Sequence, residues 1–173
     1  MCFSLRFSLL PVVCLLAFGA PSFSQDVPPA LLPPAGEREL FVAHAKGDQV
    51  YTCKNAGNQY TWVLQGPDSK LFDGSGQLIG RHYAGPTWER NDHSAVTGKM
   101  VASAASPDQK SIPWLLLSAA SHAGSGVMTR VLSIQRLNTK GGAAPATGCD
   151  ASHAGAESRV NYTADYHFFG KRN

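Results

Sequence analysis

No block of like charge occurs in the 173 residues, and the 15 basic and 12 acidic side chains leave a formal charge of only +3. Without a basic stripe to neutralise phosphates, nucleic acid is excluded as an expected partner. Nor is there a G-x-S-x-G, H-E-x-x-H, P-loop or dinucleotide fingerprint, so no common catalytic or cofactor machinery announces itself and no cofactor is predicted. Helix-friendly stretches are also scarce. With 17 glycines and 11 prolines, 28 residues interrupt helices, which disfavours a bundle or coiled coil. Charged residues at 16% and hydrophobic ones at 43% instead describe a chain that buries a core.

What is present begins with an export signal. One positive charge and no acid stand in Met1 to Arg6, and Phe7 to Ala20 is apolar apart from Ser8, Pro11 and Gly19. Ser22-Phe23-Ser24 then places small residues where a signal peptidase reads, predicting cleavage after Ser24. A membrane anchor would need about 20 apolar residues. A lipid anchor on Cys14 would need smaller residues than Val12 and Val13. The expected protein is therefore exported, periplasmic or extracellular, with no integral membrane segment after the signal. Cleavage would leave 149 residues and two cysteines, Cys53 and Cys149. In an oxidising compartment such a pair is most simply a disulfide; a metal site or catalytic thiol has no C-x-x-C or Cys-His spacing behind it.

Residues 25–36, with four prolines, read as an extended leader with nothing globular in it, and 37–173 as one β-rich domain. Apolar residues alternate with period two at Tyr60, Trp62 and Leu64, at Val127, Thr129 and Val131, and at Tyr162, Ala164, Tyr166 and Phe168, each set predicting a strand. Further strands are expected at Leu40 to Ala45, Gln49 to Lys54 and Val96 to Ala104, with a hairpin over 70–79 turning at Asp73-Gly74. Trp114 to Leu117 reads as a core strand, with a short helix over Leu115 to His122 as its rival. Thr139 to Gly148 reads as a flexible loop. Turns every 8 to 12 residues suggest an all-β fold, a single antiparallel sandwich or barrel-like domain with long loops.

Chemistry-bearing residues concentrate in the 80–94 segment, GRHYAGPTWERNDHS. One reading is a surface site for a ligand or surface partner, with Tyr83, Trp88 and Arg90 as binding residues and exposed tryptophans beside them. A second is a hydrolytic enzyme, metal-assisted or not, using His82, Glu89, Asp92 and His93, with His82, His93 and His44 as candidate metal ligands. The plainer alternatives are a structural histidine, solvated carboxylates paired with Arg81 or Arg90, tryptophans buried in a β core, and an envelope structural protein.

The order of Gln49-Val50-Tyr51-Thr52-Cys53, Trp62, Gly85-Pro86-Thr87-Trp88, Ile112-Pro113-Trp114-Leu115-Leu116, Ile134-Gln135-Arg136-Leu137, Thr139, Gly141-Gly142, Pro145, Cys149 and Tyr162-Thr163-Ala164-Asp165-Tyr166 resembles domain-of-unknown-function family 3455. That resemblance covers about residues 28 to 169. It implies an exported single domain with paired cysteines, and it brings no catalytic residues. His93 departs from it, standing where the family pattern is expected to read Asp-Gly-Ser. A side chain there suggests that the position does not strictly require glycine's φ range.

Overall fold

The computed structural model describes residues 26–171, so the expected signal peptide lies outside the described residues. Eight antiparallel strands, β1 (Glu37–Asn55), β2 (Tyr60–Phe72), β3 (Leu78–Tyr83), β4 (Thr87–Arg90), β5 (Ala95–Ala104), β6 (Trp114–Ala123), β7 (Ser133–Gly141) and β8 (Glu157–Lys171), follow one another around a closed barrel. The first strand pairs with the last, from Glu37 opposite Lys171 to Thr52 opposite Glu157. The all-β expectation is met in its barrel form.

Two pairs of expected strands are each one longer strand. Lys46-Gly47-Asp48 resembles a turn in sequence, yet β1 runs straight through it. A Cβ at Gly47 would lie 2.3 Å from the Asp68 carbonyl oxygen, so the glycine permits close approach of β2 rather than a chain reversal. β2 likewise continues through Gly66-Pro67. Pro67 pairs with Gln49, while β3 joins β2 only from Asp68 onward, so its missing N–H faces an open edge.

Alternation sends Ala43, Ala45, Leu71, Val96, Leu117, Ile134, Ala164 and Phe168 into the barrel core. His44 and the charged residues Lys46, Lys70, Arg81 and Arg159 lie exposed on these walls. That is the reverse of the apolar outer band of a membrane-spanning barrel. No helix among the described residues is long and apolar enough to cross a membrane.

The strand expected over 127–132 is not formed. Val127–Arg130 is a 3-10 helix capped by Val131; Met128 and Val131 are fully buried while Thr129 is exposed. Burial there repeats at three residues, as the tighter helix requires, and the period-two spacing of Val127, Thr129 and Val131 was incidental. Both apolar side chains join the core cluster at the barrel end that carries the 73–77, 91–94 and 124–132 connections. They close that end.

The leader is also different from expectation. Pro29–Leu31 forms a 3-10 turn, and Leu31, with no exposed surface, packs outside the barrel against Trp114, Leu116 and Leu137. Gln135 Nε2 donates to the Leu31 carbonyl at 2.6 Å. β6 is consequently covered on both faces, with Leu117 inside and Trp114 and Leu116 under the leader. This explains the unbroken apolar run and resolves its ambiguity in favour of the strand.

Cys53, near the end of β1, is bonded to Cys149 in the connection that precedes β8, with Cα atoms 5.3 Å apart and a sequence separation of 96. The connection is further held by Trp62 Nε1, which donates to the Thr147 carbonyl at 2.9 Å. In the chain-entropy account, a loop of this length stabilises the fold by about 4–5 kcal/mol. Replacing both cysteines by serine is expected to lower the thermal midpoint by about 10 °C, measured by circular dichroism. A midpoint unchanged within 2 °C would refute that contribution.

Candidate functional site

The 80–94 segment is not a loop. Residues 80–90 belong to the β3–β4 hairpin, with His82 opposite Trp88 and Arg81 opposite Glu89, and residues 91–94 form the turn into β5. Because side chains alternate along a strand, the hairpin divides the candidate residues between two faces. His82 and Trp88 enter the barrel, whereas Arg81, Tyr83 and Glu89 lie on the outer surface.

Inside, His82 is 2% exposed and stacks on Trp88 with ring centroids 4.2 Å apart. Tyr166 meets both rings edge-on, at 5.0 and 5.2 Å. The His82 Nδ1–H donates to the Thr87 carbonyl at 2.8 Å, leaving Nε2 as the unprotonated nitrogen. Burial first, then the charge of Arg136, holds the imidazole down at about 3 from its ordinary 6.5, against the opposing pull of the Thr87 carbonyl. A histidine so weakly basic is poorly matched to proton abstraction near neutral pH.

Outside, Glu89 accepts hydrogen bonds from Tyr83 Oη at 2.9 Å and from Arg81 Nη2 at 3.0 and 3.2 Å. These bonds, Tyr83 foremost, hold its carboxyl below the usual range. His93 Nδ1 lies 3.6 Å from the same carboxylate. Asp92 is bound into the 91–94 turn, accepting from the Ser94 N–H and hydroxyl at 2.9 and 2.6 Å. Arg90 lies over the Phe41 ring, 5.1 Å from its centroid.

These placements correct the sequence reading. His82 is separated by the barrel wall from Glu89 and His93, so the four residues considered for acid/base work share no site. His44 is outward too, pairing with Asp165 at 2.6 Å, and no cluster of three metal-ligating side chains is assembled among the described residues. Trp88, read either as a surface contact or as a core tryptophan, is 1% exposed because it points inward, and Trp114 is buried under the leader. His93 adopts φ +62°, so its position does use the left-handed range that glycine favours.

The concave site lies behind the hairpin. A cavity of about 330 Å³ occupies the barrel end opposite the 3-10 closure. It exists because β4 is only four residues long: β5 pairs with it from Ala95 to Thr97, with a last bond from the Gly98 N–H to the Pro86 carbonyl at 3.0 Å, leaving Lys99 to Ala104 of β5 and Tyr60 to Pro67 of β2 without strand neighbours on that side. Exposed Leu64 and Met100 stand on the two sides of this window, and Gly85 and Pro86 of the hairpin turn also line it. Gly98 leaves space beside Trp88 and Leu117, since a Cβ there would come within 2.9 Å of the indole. An eight-stranded barrel is just wide enough to be filled by side chains or to hold one small ligand.

The inner lining is rich in donors, with the unprotonated His82 Nε2 as an acceptor among them. Gln49 Nε2, Trp88 Nε1 and Tyr166 Oη are buried and make no hydrogen bond within the protein. Each orphaned group costs about 1–3 kcal/mol of desolvation, a burden rarely carried without a role. Beside them is Arg136, on the same lining. Two of its N–H groups donate to the Pro113 carbonyl at 3.0 and 2.8 Å, and among the described residues no carboxylate lies within 4.0 Å of it. Burial raises the pKa of Tyr166 against the opposing pull of Arg136 and of the Tyr162 hydroxyl, so its own hydroxyl stays protonated. Sequence reasoning missed Gln49, Arg136 and Tyr166 as site residues. The available signal was phase: Gln49 falls in step with Ala45 and Tyr51, and Arg136 with Ile134, where alternation calls for apolar side chains.

Among family models, one described as Protein of unknown function (DUF3455) matches residues 34–170. No curated protein and no solved structure matches the chain.

Because the pKa of His82 is depressed by folding, its contribution to stability is present above 6.5 and is lost as the pH falls from there toward 3. Between pH 7 and pH 5 the wild-type chain is expected to lose about 2 kcal/mol relative to a His82→Gln variant, read from urea unfolding at each pH. Parallel pH profiles would refute the buried neutral imidazole. At the 91–94 turn, His93→Gly relieves a left-handed side chain at about 1–2 kcal/mol while adding unfolded-state entropy. A net gain of about 0.5 kcal/mol is expected as a higher urea midpoint with unchanged slope; a lower midpoint would mean that the contact with Glu89 outweighs the strain.

Proposed function

The chain belongs to the family described as Protein of unknown function (DUF3455), and we propose that within it this protein is an exported, non-enzymatic binding barrel that takes a small ligand with an apolar body into the open end of its lumen. The observation that carries this reading is the cavity bordered by Trp88, Leu115, Leu117 and Met100, whose lining residues Gln49, Trp88 and Tyr166 each hold a buried polar group without a hydrogen-bond partner. A few polar groups converging in a largely apolar cavity are the usual make-up of a small-molecule site. Export fits a disulfide-stapled barrel, since such bonds persist in oxidising compartments. The β3–β4 hairpin contributes through its inner face, Trp88 and His82, and through Gly85 and Pro86 at the rim. The hydrolytic reading has less support, because its four residues stand on opposite sides of the barrel wall.

The neutral dye N-phenyl-1-naphthylamine, which brightens in apolar surroundings, tests this reading. Its emission is expected to rise with the purified chain and to rise at least threefold less with Met100→Trp, which narrows the window. No enhancement with the wild-type chain, or equal enhancement in both, would refute binding in the lumen.

A further inference from the structure

We infer that the ligand carries a carboxylate, received at the inner end of the cavity by Arg136 together with Gln49, Trp88 and Tyr166; this rests on the lumen being the binding site. The argument is one of matching. Gln49 Nε2 and Trp88 Nε1 can only donate, and Tyr166 Oη, kept protonated by burial, is available to donate. A ligand hydroxyl could accept from one or two of these groups and give its proton to the unprotonated His82 Nε2, but it brings no charge to answer Arg136, and an amine would bring a second cation. A carboxylate brings acceptors alone, with room for about four hydrogen bonds on its two oxygens.

Charge points the same way. Arg136 spends two N–H groups on the Pro113 carbonyl, which fixes the guanidinium plane and leaves the remaining N–H groups of its five for another acceptor. Its positive charge is felt by Tyr51, His82, Tyr162 and Tyr166 around the lumen. His82 stays neutral and adds no second cation, so one positive charge faces the cavity and one negative charge answers it. The rest of the lining, Trp88, Leu115, Leu117 and Met100, suits a flat or branched apolar body. The ligand class is therefore a small organic acid with an apolar or aromatic body.

Isothermal titration calorimetry of the full chain with 2-naphthoate and with its neutral counterpart 2-naphthalenemethanol, at pH 7.5, separates the possibilities. The expected result is at least tenfold tighter binding of the naphthoate, with that ratio falling toward one in Arg136→Met and at least threefold in Gln49→Leu. Equal binding of both compounds by the wild-type chain, or a ratio that survives Arg136→Met, would overturn the carboxylate assignment while leaving the lumen as the site. Binding of neither compound would overturn both. The wild-type ratio decides the matter even if a variant does not fold.

Discussion

Closure of the sheet by the long β1–β8 ladder is the constraint on which everything else in the molecule rests. Fifteen residues of β8 run beside the nineteen of β1, so the first and last strands support each other and leave no edge at the seam. Once the ring is closed, strand lengths alone decide where it is solid and where it is open. The long strands carry apolar side chains to the end sealed by Met128 and Val131. The four-residue β4 fails to reach the other end, and the lumen opens there.

Polarity inside the barrel follows the same division. Near the closed end, Ala43, Ile134 and Phe168 sit in an apolar core and Phe41 stacks on Phe168. Toward the window, two polar groups are satisfied by each other: Ser69 Oγ and Tyr162 Oη lie 2.9 Å apart. Tyr51 Oη likewise donates to the Gly142 carbonyl at 2.6 Å. Gln49, Trp88 and Tyr166 find no such partner. A barrel built only for stability would replace them with apolar side chains, since a half-satisfied polar network is less stable than an apolar core. Retaining donors around an arginine makes sense when an acceptor is expected from outside.

The sequence-level view of the 80–94 segment shows how proximity along a chain misleads. His82, Glu89, Asp92 and His93 lie within twelve residues of each other. On a loop such residues could converge; on a hairpin, alternation sends neighbours to opposite faces. The cavity instead draws Gln49 from β1, Trp88 from β4, Arg136 from β7 and Tyr166 from β8. Those residues meet only because the ring closes, and no local spacing records it.

The amino-acid pattern by itself determined the all-β class, the 70–79 hairpin, the Trp114 strand and the pairing of Cys53 with Cys149, because alternation, turn chemistry and cysteine count are local or compositional quantities. The period-two spacing at 127–131 was local evidence as well, but too short to distinguish a strand from a single 3-10 turn whose burial the barrel end dictates. Tertiary structure alone decided that the Pro-rich leader is docked, that Trp88 and His82 face inward, and that one arginine shares a cavity with three unanswered donors. Each depends on which strands become neighbours, and that is set by closure of the whole sheet rather than by any segment within it.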